Sequence, residues 1–259
     1  MTAINNTRLQ ELQKDLIGSA RNYYPDKTPF YVSGKATGVN NARVDVCEYG
    51  TTINLPAAPI QMQLVSSGAG AAADAAAGTG VRQVVIHYLD TNYAAQSEVV
   101  TMNGGTPVNT AATSILRVNG LHAYAVGSGG VAAGTILLQA VGGATTYGQI
   151  TVGHTASRAA VFTIPAGKTG YIDFWNFSAG AASGSHFTEA TLRATCHEGV
   201  LLSGVFIMQD EVGALNNCVP QEYAIPIKVP ATADIKVSTI SDAANANASI
   251  TSRFSGWYE

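Results

Sequence analysis

Val84-Val85-Ile86-His87-Tyr88-Leu89-Asp90, followed by Glu98-Val99-Val100-Thr101-Met102-Asn103-Gly104-Gly105-Thr106-Pro107-Val108, is the stretch that decides how the whole chain is read. Two segments rich in β-branched and apolar residues meet polar, glycine-bearing turns. Asn103-Gly104-Gly105-Thr106-Pro107 supplies residues that tolerate positive φ between two extended pieces. The same texture continues to the C-terminus. Candidate strands fall at 61–66, 81–89, 97–102, 114–125, 134–138, 147–152, 159–164, 170–177, 188–195, 205–209, 223–229, 233–239 and 248–254. A spacing of roughly 8–15 residues per strand suits a sandwich or jelly roll. Helix-length periodic segments do not intervene, which argues against a parallel α/β sheet.

Working back toward the N-terminus, the pattern changes. Leu9, Leu12, Leu16 and Ile17 share one face of a helix over 7–20, with Thr7 as cap and Gly18 as stop. This helix either packs on its own domain or docks on a neighbour. From Asn22 to Pro59 the chain reads as irregular, with Pro25, Pro29, Pro56 and Pro59 set among Asp26, Gly34, Gly38, Asn40 and Asn41. A connection of that length is unusual inside a domain, and it reads as an arm crossing a neighbouring subunit. The expected architecture is mainly β: an antiparallel β-sandwich or jelly-roll-like body in two β domains, with a short N-terminal helix and an extended arm. The expected boundaries are 1–59 for helix and anchoring arm, 60–153 for the first β domain and 154–259 for the second, with turns at Gly142-Gly143-Ala144 or Gly153-His154-Thr155 near the division. Gly180-Ala181-Ala182-Ser183-Gly184-Ser185 reads as a loop tip.

Composition narrows the function. The chain has 259 residues, 46% hydrophobic but only 12% charged, about half the usual charged share. A real core is available, and Ser, Thr, Asn, Gln or partner subunits must cover the surface that charge does not. A net charge of −3 leaves no electrostatic footprint for nucleic acid or an anionic membrane. No apolar run is long enough to span a bilayer, and Met1–Thr7 lacks a signal-peptide core, so synthesis and folding in a cytoplasm are expected. Cys47, Cys196 and Cys218 are odd in number and far apart, and read as buried or inert thiols rather than a disulfide framework.

The motifs that imitate chemistry each fall short. Gly68-Ala69-Gly70 before Ala71-Ala72-Ala73 resembles the opening of a dinucleotide fingerprint, with Asp90 downstream. Gly78 and Gly80 leave no room for the crossover helix, so a loop or one short helical turn is expected. The histidines His87, His122, His154, His186 and His197 show no metal-binding spacing, and Cys196-His197-Glu198 would point to alternate faces of a strand. There is no nucleophile elbow, and Asp210-Glu211 are neighbours rather than an opposed pair. The sequon-like Asn5-Asn6-Thr7, Asn176-Phe177-Ser178 and Asn247-Ala248-Ser249 are chance matches. No catalytic, cofactor or metal role is therefore expected. Among the aromatics, alternation places Trp175 and Phe177 on the core face of their strand. Exposed aromatics could instead stack on sugars.

Several segments taken together carry a resemblance. They are Gly78-Thr79-Gly80-Val81-Arg82 leading into Ile86–Asp90, Glu98–Gly104, Leu116-Arg117-Val118-Asn119, Ile164-Pro165-Ala166-Gly167-Lys168-Thr169-Gly170-Tyr171, and Thr232-Ala233-Asp234-Ile235. From Gly78 to the C-terminus the chain resembles virion structural proteins of tailed bacteriophages, of the kind frequent in aquatic phages such as those of cyanobacteria. The resemblance brings no catalytic residue. It implies a capsid cement or decoration protein on the head exterior, bridging capsomers, with the major capsid protein and copies of itself as partners and a homo-trimer as the matching symmetry. Attachment is then expected from Leu9, Leu12, Leu16, Tyr23, Tyr24, Phe30 and Tyr31. Two alternatives stand beside it: a tail- or fibre-associated virion protein, and a carbohydrate-binding module for host glycans using Trp175, Tyr147 and Trp257.

Overall fold

Alternating burial along the chain, rather than helical periodicity, organises nearly every described segment. The computed structural model describes residues 26–180, 186–244 and 246–259. In chain order the strands are β1 (Thr28–Val39), β2 (Val44–Asp45), β3 (Met62–Ser67), β4 (Val81–Leu89), β5 (Ala95–Thr101), β6 (Val108–Asn109), β7 (Arg117–Val126), β8 (Thr135–Ala140) and β9 (Thr146–Ile150). They continue as β10 (Val161–Thr163), β11 (Gly170–Gly180), β12 (Phe187–Ala194), β13 (Cys196–His197), β14 (Val200–Leu201), β15 (Ile207–Leu215), β16 (Cys218–Val229), β17 (Asp234–Ser241) and β18 (Ala248–Tyr258). Among the described residues the helical content is a single 3₁₀ turn, Ala71–Ala73. The fold is mainly β, as the sequence implies, and the helix expected over 7–20 lies outside the described residues.

The chain divides into two units, and not at the expected places. One unit is the chain up to Val46 together with Ala166–Glu259; the other is Cys47–Pro165, inserted between β2 and β11. The boundaries at 59/60 and 153/154 are corrected by specific ties. Residues after 153 stay with the inserted unit because the Asn119 side chain both donates to Thr163 O and accepts from Thr163 N, at 2.8 and 2.9 Å. Arg158 also pairs with Glu48 there. Residues before 60 are held to the same unit by the Cys47–Ala159 bridge and by Arg117 donating to Pro56 O at 2.9 Å.

The outer unit is a two-sheet sandwich. One sheet runs β1-β18-β11-β16. In the other, β17 lies between β12 and β2, with Ser238 and Thr239 paired to both, and β15 lies on the far side of β12. Setting aside the small hairpin β13–β14, the strands of the outer unit in chain order cross from one sheet to the other at every step except β12 to β15, which pair with each other, the pattern of a double-sheet jelly roll. The core comes from alternate residues of both sheets: Phe30 and Val32, Ile172, Trp175 and Phe177, Leu192, Ile235 and Val237, Ile250 and Phe254. Trp175 and Phe177 are fully buried, as their alternation requires. On β2, Asp45 is buried and satisfied by Lys236 Nζ at 2.9 Å and Ser238 Oγ at 2.8 Å.

The reading of 22–59 as an arm is corrected where the chain is described. Thr28–Val39 is a strand of its own domain, paired antiparallel with β18 from Thr28↔Tyr258 to Val39↔Ala248. Phe30, Val32 and Ala36 point inward. Pro29 is tolerated because β1 borders its sheet, where a missing N–H breaks no necessary ladder bond.

The inserted unit has its own core. Its sheets run β6-β3-β8-β9 and β5-β4-β7, and Met62, Leu64, Val84, Ile86, Leu121, Ile136, Leu138 and Ile150 pack together between them. The glycine-rich stretch around 68–80 serves a different purpose from phosphate binding. After the short turn Ala71–Ala73, Asp74 is fully buried. Its carboxylate accepts from Ser66 Oγ at 2.7 Å, Val81 N at 2.8 Å, Ala133 N at 3.0 Å and Gly134 N at 2.8 Å. Its carbonyl accepts from Gly104 N at 2.7 Å. Gly80 and Gly134 are glycine for space: a Cβ on Gly80 would overlap Asp74 Oδ1, and one on Gly134 would crowd Ser66 and Ser67.

Two outcomes follow from this arrangement. Residues 47–165 expressed alone fold with a cooperative thermal transition followed by circular dichroism; a fragment without tertiary structure contradicts an independent core. Asp74→Asn presents an amide N–H₂ to donors that need an acceptor, and lowers stability by about 2–3 kcal/mol in urea denaturation of the whole chain; an unchanged midpoint contradicts the hub.

Candidate interaction surfaces

Of the residues expected to attach this chain to a particle, Phe30 and Tyr31 are described, and they diverge. Phe30 is buried and meets Phe254 edge-on at 6.3 Å between ring centroids, so it is a core residue and not an attachment residue. Tyr31, next along β1, is 64% exposed and available to a partner. Leu9, Leu12, Leu16, Tyr23 and Tyr24 lie outside the described residues.

The sugar-stacking alternative loses its platform. Trp175 is fully buried and its indole N–H donates to Ser252 Oγ at 2.8 Å. Trp257 is 5% exposed and stacks on Tyr171 at 5.4 Å, with Lys27 Nζ at 5.0 Å from its ring. Tyr147 packs against the core of the inserted unit. None of the three offers an open face of the kind that sugar stacking requires.

The chemistry-bearing clusters resolve into structure. Among the described residues no three His, Cys, Asp or Glu side chains converge on a metal position. Cys196 is buried and its thiol is pushed up to about 11 by burial, while His197 beside it is exposed. Glu198 and Gly199 both have positive φ, at 48° and 79°, and make the tight turn between β13 and β14. His87 and His122 lie 5.8 Å apart on adjacent strands, and burial followed by the His87 charge lowers the His122 pKa. Asp210 accepts from the Tyr223 hydroxyl at 2.8 Å, and burial with that bond pushes the phenol pKa up, so both are committed to holding β15 against β16. Cys218 corrects the reading of all three cysteines as buried or inert: it is exposed on β16.

The surface that stands out lies on that same border. β15 and β16 each end a sheet of the outer unit. On and beside them Leu201, Met208, Leu215 and Ile225 are exposed, Met208 to 57% and Ile225 to 74%. Phe187, paired with Leu215 across the β12–β15 ladder, is exposed as well, and its ring lies over Gly213. Sequence reasoning missed this surface. The residues look like ordinary strand positions, and only the strand order makes them a border.

No protein-family model matches the chain, and no curated protein matches it. Solved structures similar to it are particles of infectious bursal disease virus. The T=1 particle derived from that virus is 12% identical, over 90% of this chain and 69% of that one, with a TM-score of 0.22. The Gt strain structure is 10% identical over 90% and 72%, with a TM-score of 0.20. The VP2 subviral particle is 9% identical over 90% and 72%, with a TM-score of 0.22. Likeness at this level assigns neither a fold nor a role.

The thiols provide a direct check on this surface. Under native conditions a thiol reagent modifies Cys218 quickly, and Cys47 and Cys196 react only in denaturant; mass spectrometry of the labelled peptides reads the result. Native labelling of Cys196 would contradict the burial described here.

Proposed function

We propose that the chain is a structural subunit of a tailed-phage virion, acting as a cement or decoration protein on the head exterior. The observation that carries the proposal is the outer unit's jelly-roll strand order with a complete second β unit inserted into it. Double-sheet jelly rolls serve capsids, lectins and small-molecule sites, so the fold alone does not choose among them. Three further features favour assembly. The charged content is low, large apolar side chains are exposed along one border, and the aromatic platform of the lectin alternative is occupied by packing. The segments that resemble phage virion proteins, at 98–104 and 164–171, are turns and strand ends of this scaffold. No enzymatic step enters the proposal.

The mechanism is mechanical. Interface buried across the joints between capsomers resists outward pressure from packaged DNA, and stable assemblies of this kind bury thousands of Å². A homo-trimer fits local threefold positions, with the major capsid protein beneath it. Because Thr28–Val39 is part of the sandwich, the attachment segment expected within 1–59 narrows to the residues before it.

Cryo-electron microscopy of the native particle tests the proposal. The expected result is density for this chain at icosahedral positions on the shell; density confined to the tail or fibres replaces the cement role with tail assembly or adhesion. A chain lacking residues 1–25 keeps its thermal transition and is lost from purified particles, read by quantitative mass spectrometry. Undiminished incorporation removes the N-terminal segment from attachment.

A further inference from the structure

Two of the chain's histidines are committed to neighbours. His154 Nε2 meets the Arg158 guanidinium at 2.8 Å, and His186 Nδ1 meets Asp242 at 3.1 Å. His87 and His122 are different: among the described residues neither imidazole has a hydrogen-bond or ion-pair partner, and the two rings face each other. In the β4–β7 ladder Val85 lies opposite His122 and His87 lies opposite Gly120, which makes the histidines diagonal neighbours. Ile86 and Leu121 beside them point into the core, so both histidines stand on the outer, exposed face of the sheet β5-β4-β7.

The geometry is that of a pair of ligands. The ring centroids are 5.8 Å apart, with the planes at 59°. Two imidazole nitrogens bound to one tetrahedral ion at ~2.1 Å each bring their rings to about 5 Å, a small side-chain rotation away. Gly120 makes the room. Both rings lie over it, and a Cβ there would stand 3.0 Å from His122 Nε2 and 3.4 Å from His87 Cδ2, the carbon bonded to Nε2. The backbone beneath is held from both sides. β4 lies between β5 and β7, and β7 is tied on its other side by Ala123 N donating to Thr155 O at 2.7 Å and Ser157 N donating to Leu121 O at 2.9 Å. Ligands carried on strands fixed in this way are positioned before an ion arrives.

The surroundings select the ion. The residues directly across from the two histidines are Ser97, Gly120, Val85 and Ala156, none of them charged. Glu98 belongs to the opposite face, across from Ile86, where it accepts from Ala111 N and Ala112 N. The carboxylate oxygens that calcium and magnesium need are therefore absent from this face among the described residues. Imidazole nitrogens suit the late first-row divalent ions, with copper(II) bound above zinc(II).

We propose that His87 and His122 form a two-imidazole site for a late first-row divalent metal ion, with water in the remaining coordination positions. The site does not depend on the reading of the chain as a virion subunit. No spacing along the sequence reveals it, because its two ligands meet across a ladder.

Isothermal titration calorimetry with copper(II), and separately with zinc(II), tests the proposal. The full chain carries Cys218→Ser, so that the exposed thiol neither binds nor reduces the ion. The expected result is one copper(II) per chain, zinc(II) bound more weakly, and an electron paramagnetic resonance spectrum of the copper(II) form showing coupling to two imidazole nitrogens. His87→Ala and His122→Ala each weaken binding at least about tenfold, the scale on which even changes around a ligand act. Their thermal melts are unchanged, and His197→Ala, at another exposed histidine, has no effect on affinity. Equal copper(II) binding by wild type and both alanine variants shows adventitious binding elsewhere and overturns the site. Binding that one variant loses and the other keeps overturns the pair in favour of a single histidine. One copper(II) per two chains, with a dimer in sedimentation velocity, overturns the single-chain site in favour of an ion shared between copies. Absence of binding heat and of a nitrogen-coupled spectrum overturns the proposal outright.

Discussion

Everything in the outer unit depends on the place of β18. The last strand of the chain lies between the first, β1, and β11. Phe254 from β18 meets Phe30 from β1, and Ser252 from β18 receives the Trp175 N–H from β11. β1 has no partner in its sheet until the C-terminal residues arrive, and β11 until then has β16 on one side alone. The pairing of Thr28 with Tyr258 closes almost the whole described length of the chain into one loop. Contacts at that separation carry a large ordering cost before they are rewarded, so this is a topology that folds slowly. Strands β3 to β9 escape that constraint, since they pair among themselves within residues 62–150.

Asp74 does for the inserted unit what β18 does for the outer one, by other means. A buried carboxylate without partners is costly. This one is satisfied by backbone N–H groups from β4 and from the approach to β8, and by a serine hydroxyl on β3. It therefore fixes three strands of two sheets relative to one loop, and the surrounding glycines let the backbones come close enough to reach it. The glycine-rich stretch resembles a phosphate cradle because both structures need backbone N–H groups turned toward negative charge. Here the charge is supplied from within the chain.

Much of the β architecture was legible because its signals are local. The run 81–89 and the alternation around Trp175 and Phe177 fix strand and face without reference to the rest of the molecule. β1 was misread although Phe30, Val32 and Ala36 alternate, since prolines and glycines in an edge strand look the same as those in an irregular arm. The domain division was illegible for another reason. The crossings at Val46–Cys47 and Pro165–Ala166 are set by which distant residues hold each side, such as Asn119 for Thr163. Exposure at Met208 and Ile225 likewise depends on β15 and β16 ending their sheets, a property of strand order that no single segment encodes.

The insertion between β2 and β11 gives the inserted unit two covalent tethers instead of one. A domain appended at a chain end is shed by a single proteolytic nick in its linker. This one stays attached after a cut at either crossing, and only cleavage at both releases it. That redundancy preserves whatever surface the inserted unit presents through any single backbone cut at a crossing.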